Sequence, residues 1–330
     1  MEVQGSSDTS LLNQRLLGKV ALVTGGANGI GESIVRLFHK HGAKVCIADI
    51  QDELGQHVCG TLGSDQNACF IHCDVTAEVD ISNAVDFTVQ KFGTLDIMVN
   101  NAGLSGPPIP DIRDYELSVF ENVLDVNLKG AFLGMKHAAR IMVPLKKGSI
   151  VSLCSVASAI GGLGPHGYTA SKYAVLGLTQ NVAAEMGKHG IRVNCVSPYA
   201  VATGLALSHL PEEEKTNGAM EGFRAFVGKN ANLQGVELMA HDVANAVLFL
   251  ASDEARGKKA KELHEYFKKK KLEEANQGPF FGFIGKNEIS NGRWTMFGFA
   301  VGMLTEYATG SDFVDQVKIL HSNFGIVDLE

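Results

Sequence analysis

Three residue types suited to proton transfer stand close together in the chain: Ser155, Tyr168 and Lys172. If a helix begins near Tyr168, its phenol and the Lys172 ammonium lie four residues apart on one face. An ammonium beside a phenol favours phenolate, drawing tyrosine from its reference pKa of about 10 towards use as a base. Ser155 closes the apolar run Ile150-Val151-Ser152-Leu153-Cys154, which reads as a buried strand. A strand end and the next helix start are neighbours in a βαβ unit, so hydroxyl, phenol and ammonium can converge. The spacing alone equally suits a half-buried tyrosine next to a solvated lysine. The elements that position the three residues have to decide.

Those elements alternate. Apolar runs at 20–23, 45–48, 68–72, 95–99, 150–153 and 191–196 read as strands, and helical patterns occupy 34–41, 81–92, 119–142, 168–186 and 243–250. Strands that are apolar nearly throughout predict a parallel sheet covered by helices on both faces. Six of them predict an α/β, Rossmann-type doubly wound sheet of order 3-2-1-4-5-6.

The first βα turn runs Thr24-Gly25-Gly26-Ala27-Asn28-Gly29-Ile30-Gly31. Glycines at 25, 29 and 31, with Asn28 and Ile30 between them, let backbone N–H groups approach a pyrophosphate at the helix N-terminus. Asp49 ends the second strand, where a carboxylate can accept from both ribose hydroxyls of NAD and repel the 2′-phosphate of NADP. Neither Asn28 nor Ile50 is basic, which also favours NAD. Asp74 and Val75 follow the third strand and suit an adenine edge. Asn101, Ala102 and Gly103 follow the fourth, small enough to let the backbone lie against a cofactor; Pro198, Val201 and Thr203 follow the sixth. All lie at carboxyl ends of strands, the edge where open α/β sheets bind ligands.

A chain of 330 residues can bury one large core, or one domain and an appendage. Its 45% hydrophobic and 20% charged residues are ordinary for a globular protein, and a net charge of −7 argues against a nucleic-acid partner. Residues 1–256 hold 19 basic and 26 acidic side chains, whereas 257–330 hold ten of each. The six cysteines form no C-x-x-C pair and read as reduced core thiols. Eleven histidines show no metal-ligand spacing, so no metal is implied. Residues 1–18 read as a polar flexible arm without a signal-peptide core, and the expected address is cytoplasmic.

Over residues 19–256 these motifs closely resemble the short-chain dehydrogenase/reductase family. T-G-x-x-x-G-x-G matches Thr24 to Gly31, N-N-A-G matches Asn100 to Gly103, and Ser with Y-x-x-x-K matches Ser155, Tyr168 and Lys172. The family's active-site asparagine falls on Asn127, and the wider sequence resembles its plant branch of terpenoid and lignan alcohol dehydrogenases. The resemblance implies an NAD-dependent alcohol dehydrogenase acting on a small apolar alcohol, expected as a homo-oligomer. Tyr168 would be the base and Ser155 the holder of the reacting oxygen. Lys172 would bind the nicotinamide ribose and lower the Tyr168 pKa. Asn127 would hold a proton-relaying water through its backbone and amide, and Val201 and Thr203 would fix the carboxamide. Substrate specificity is expected in 104–118 and 199–239, where Leu205, Leu207, Leu210, Met220, Phe223 and Phe226 offer either an apolar cleft wall or an ordinary helix-face core.

After Arg256 the family pattern breaks, and its seventh strand is expected to be missing, which would expose strand six and remove an oligomer surface. Residues 257–279 read as a charged helical linker. Within 280–330, the E-x-x-N-x-R pattern Glu288, Asn291, Arg293 resembles light-harvesting-like chlorophyll-binding proteins. That resemblance implies chlorophyll at Glu288 and Asn291 and a membrane or helix partner through 288–310. The uncharged run Trp294–Thr305 falls short of the roughly 17–25 residues a bilayer-spanning helix needs, and an amphipathic helix packed on the dehydrogenase is the other reading. Two functions thus stand: an alcohol dehydrogenase with a C-terminal appendage, or a thylakoid-associated pigment-binding or scaffold protein whose dehydrogenase part is inactive.

Overall fold

Valine, isoleucine and other apolar residues, which suit a pleated buried surface, fill six strands: β1 (Val20–Thr24), β2 (Lys44–Asp49), β3 (Ala68–His72), β4 (Ile97–Asn100), β5 (Gly148–Leu153) and β6 (Ile191–Val196). All pair in parallel, in the order 3-2-1-4-5-6. The computed structural model describes residues 14–63, 66–208, 210, 212–231 and 235–255, all in the first of two compact units, Met1–Leu263 and His264–Glu330. The charged stretch 257–279, the expected chlorophyll ligands Glu288 and Asn291, and residues 1–13 of the arm lie outside the described residues.

Alternate strand residues feed two cores, because successive side chains point to opposite faces. Ala21, Val23, Val45, Ile47, Val99 and Val151 face α1 (Gly29–Lys40) and α8 (Ala240–Ala251). Leu22, Cys46, Ala48, Met98 and Ile150 face α3 (Glu78–Phe92) and α5 (Gly130–Leu145). The remaining helices are α2 (Asp52–Thr61), α4 (Leu117–Leu124), α6 (His166–Met186) and α7 (Asn217–Asn230). Among the described residues β6 pairs only with β5, no strand follows it, and no helix is long and apolar enough to cross a membrane.

Two expectations need correction. The helix expected over 119–142 is not uniform: α4 and α5 run on without a break through a π turn, Asp125–Lys129. This wider turn places Asn127, whose amide binds the Leu104 backbone of a neighbouring loop. Residues 14–18 do not belong to a free arm: Leu16 is fully buried and its N–H donates to the His41 carbonyl at 3.0 Å. Arg15 also binds both carboxylate oxygens of Glu254, at 2.6 and 2.9 Å.

Phe38 of α1 is fully buried in the core shared with α8. Phe38→Ala is expected to destabilise the fold by about 3–5 kcal/mol. Urea unfolding measures this, and a loss below about 1 kcal/mol would mean the α1–α8 layer contributes little.

Candidate active site

β5 ends at Leu153, and the chain turns through Ser155 before α6 begins at His166. The Ser155 hydroxyl accepts from the Ala157 N–H at 3.2 Å, which fixes the turn. It also neighbours the phenol of Tyr168, in the first turn of α6, and pulls that phenol's pKa down. One turn further on, Lys172 is buried, with its Nζ 5.5 Å from the Tyr168 ring centroid. The ammonium donates to the Leu153 carbonyl at 2.8 Å, bridging the end of β5 and the face of α6 that carries Tyr168.

These contacts correct the expected electrostatics. Burial pushes the Tyr168 phenol above its ordinary pKa; the Ser155 hydroxyl pulls it down and the nearby Cys154 adds to the rise. Burial also pushes Lys172 down to about 8. The ammonium is aimed at Leu153 and loses its own solvation, so in this structure desolvation of the phenol outweighs any help from the lysine.

Asn127 is buried, and both hydrogens of its amide are taken, by the Leu104 carbonyl and the Ser171 hydroxyl, each at 2.9 Å. Its Oδ1 accepts from the Leu104 N–H at 2.7 Å. The NH2 is therefore fully committed within the protein, while Oδ1 keeps a second acceptor site. The Ser171 hydroxyl donates onward to the Tyr168 carbonyl at 2.7 Å, so the π turn and α6 are joined. Gly103 lies against both: a Cβ there would sit 3.1 Å from Asn127 Oδ1 and 3.7 Å from Lys172 Nζ.

The first βα turn is packed too closely for side chains. Gly25 has φ +62°, and a Cβ on it would lie 2.8 Å from Ala102 Cα. A Cβ on Gly31 would lie 1.9 Å from the Gly25 carbonyl oxygen and 2.5 Å from Asn101 Nδ2. Asn101 Nδ2 donates to the carbonyls of Thr24 and Gly25 at 3.0 and 2.9 Å, pinning the turn to the loop after β4. At the N-terminus of α1, Asn28 makes no side-chain cap. Ile30 is partly buried on the core, and Gly29 lies against Thr203 from the loop after β6, which also carries Val201 and Pro198. Asp49 is buried at the end of β2, its Oδ2 accepting from the Ala27 N–H at 2.9 Å and its Oδ1 from the Gln51 N–H at 3.0 Å. Asp74 follows β3 with its N–H on Asp80, and Val75 is buried against Gly130. Bare backbone donors at a helix N-terminus, a glycine-only close approach and a carboxylate at the next strand end fit a dinucleotide.

Two contributors escaped the sequence reading. The Thr24 hydroxyl accepts from the N–H groups of Asn101 and Ala102 at 3.1 and 3.2 Å and donates to the Val99 carbonyl. Ser171 couples Asn127 to Tyr168. Both stand inside the quoted motifs, and that position was their only signal.

A model of the enoyl-(acyl carrier protein) reductase family matches residues 25–264. A short-chain type dehydrogenase/reductase from Mycobacterium marinum superposes with a TM-score of 0.66 at 30% identity, over 74% of this chain and 93% of that one. The chain belongs to the short-chain dehydrogenase/reductase family, whose members use NAD or NADP. Among its relatives, (+)-borneol dehydrogenase 2 of Salvia officinalis is 73% identical over 242 residues, 73% of this chain and 86% of the relative. Xanthoxin dehydrogenase of Arabidopsis thaliana is 70% identical over 256 residues, 77% of this chain and 90% of the relative.

The Lys172 geometry makes a prediction with a definite sign. Its folded pKa of about 8 lies below the ordinary 10.5, so the buried charge costs stability at neutral pH, and that cost fades as pH rises from 8 towards 10.5. Lys172→Met is expected to lose turnover yet raise stability at pH 7, by on the order of 1 kcal/mol once the lost Leu153 hydrogen bond is subtracted. The advantage should shrink towards pH 10. Thermal melts at both pH values check this, and a variant less stable at pH 7 overturns it.

Proposed function

We propose that this protein is an NAD-dependent dehydrogenase that oxidises a secondary alcohol on an apolar terpenoid, with xanthoxin to abscisic aldehyde as the leading reaction. The observation that carries the reading is the gathering of Ser155, Tyr168 and Lys172 at the carboxyl end of β5. Tyr168, as phenolate, takes the proton of the substrate hydroxyl. Ser155, the neighbour of that phenol, holds the same oxygen and sets its approach. When bound, NAD⁺ would accept the hydride and place a positive charge in the site. Gly25, Asn28, Gly29, Ile30 and Gly31 would cradle its pyrophosphate, and Asp49 its ribose, which favours NAD over NADP. Asp74, Val75, Asn101, Ala102 and Gly103 would line its path, with Pro198, Val201 and Thr203 at the carboxamide. Lys172, buried beside Gly103, would hold the second ribose. The π turn at Asn127 would hold the relay water through its backbone, because its NH2 is taken.

Apolar substrate chemistry is supported by α7, which contains no buried residue and so is no part of a core. Phe226 is 66% exposed, while Met220 and Phe223 are half-buried. The xanthoxin choice rests on the relative of that name, and the borneol-named relative makes a bicyclic monoterpenol the second reading. We assign the catalytic domain to residues 19–256, with the N-terminal strap from residue 14 as part of it. A cytoplasmic address suits the six free thiols. A homo-oligomer suits the exposed Leu117, Phe132 and Tyr173 on α4, α5 and α6.

Purified full-length protein should form NADH, followed by absorbance, with xanthoxin ahead of borneol and secoisolariciresinol in kcat/KM. Borneol in first place would replace the substrate; no NADH from any of them would remove the dehydrogenase reading. Because burial raises the Tyr168 pKa, the phenolate is scarce at neutral pH, so oxidation should accelerate as pH rises and carbonyl reduction should slow. Tyr168→Phe should cost about 10²–10⁴-fold in kcat with NADH binding, read by fluorescence, retained. Substantial turnover by that variant removes the phenol from the role.

A further inference from the structure

The first N–H groups of a helix have no partner within it, and α6 begins at Pro165 and His166 without a side-chain cap of its own. Another part of the chain supplies one. The phenol oxygen of Tyr115 accepts from the Gly167 N–H at 3.4 Å, and its ring meets His166 edge-on, with centroids 5.5 Å apart at 76°. Gly167 is buried beneath that oxygen, and a Cβ on it would lie 3.1 Å away. Gly106, at φ +69°, approaches from another side: its Cβ would lie 3.5 Å from the same oxygen and 2.9 Å from Val123 Cγ2. The loop after β4 and the first turn of α6 thus meet on one phenol, with Val123 of α4 beside both glycines. The residue after Gly167 is Tyr168.

The loop that Tyr115 closes is tied at several other points. Leu104 is held by Asn127, and the Ser105 hydroxyl reaches Ser208 at 3.1 Å and the Leu205 carbonyl at 3.4 Å. It therefore contacts the segment after β6 and, through Tyr115, the helix that carries Tyr168. We propose that Tyr115 is a positioning residue for proton transfer: its hydroxyl caps the catalytic helix from the substrate-side loop and sets where the neighbouring Tyr168 phenol stands. This rests on the reading of Tyr168 as the acid/base group. A substrate that presses on the loop also bears on the proton acceptor through this contact, so part of its binding is spent on orientation.

Tyr115→Phe keeps the ring against His166 and removes only the cap. Its kcat for alcohol oxidation is expected to fall about 3- to 10-fold, with KM for NAD unchanged, the rising limb of the pH profile displaced and the solvent isotope effect increased. Gly167→Ala approaches from the other side, pushing a methyl against the oxygen, and should lower kcat alone but cost less in the Tyr115→Phe background. Melting curves of each variant establish that the fold is retained. A Tyr115→Phe enzyme with wild-type kcat and pH profile overturns the proposal, as does a Gly167→Ala penalty that is the same in both backgrounds. If Tyr168→Phe is dead while Tyr115→Phe is normal, only this inference fails. If Tyr168→Phe still turns over, the acid/base reading fails first.

Discussion

A cation kept out of water is the constraint on which the site depends. Lys172 is almost fully buried and its ammonium is satisfied by the Leu153 carbonyl, the last residue of β5. A buried charge without such a partner is expensive, so strand end and helix cannot drift apart without exposing the cost. The same contact fixes the distance between the serine turn and the tyrosine of α6. It also brings the lysine beside Gly103 and so beside the loop from the neighbouring strand. A buried charge that costs stability is thereby what aligns the turn of Ser155 with the face of α6 that carries Tyr168.

A second constraint is steric. The turn after β1 and the loop after β4 come so close that Gly25 and Gly31 leave no room for a Cβ, and Asn101 and Thr24 stitch the two together with side-chain to backbone hydrogen bonds. The strands on either side belong to opposite halves of the sheet, so this contact joins the halves at the crevice between them.

Much of this was legible in the residues. Six apolar runs mapped onto six strands because a doubly covered parallel sheet demands apolar residues on both faces, and that demand is local. The glycine turn was legible because close approach leaves few residue types to choose from, and the gathering of Ser155, Tyr168 and Lys172 because a strand end and the next helix start are neighbours. The rest depends on contacts between distant segments. Nothing in Asp125–Lys129 marks a π turn until Leu104 is seen bonded to Asn127. The direction of the Tyr168 shift turns on where Lys172 aims its ammonium, and side-chain order along a helix does not say. α7 has apolar residues at plausible helical spacing, yet none is buried, so hydrophobic pattern and core membership part company there.

The Arg15–Glu254 pair and the neighbouring Lys19–Asp253 pair bring the domain's beginning and its end to one spot. Residues 15–19 and 253–254 therefore share one corner, on the side where the strands start. In engineering language, a short bridge between these two points would permit new openings elsewhere in the polypeptide.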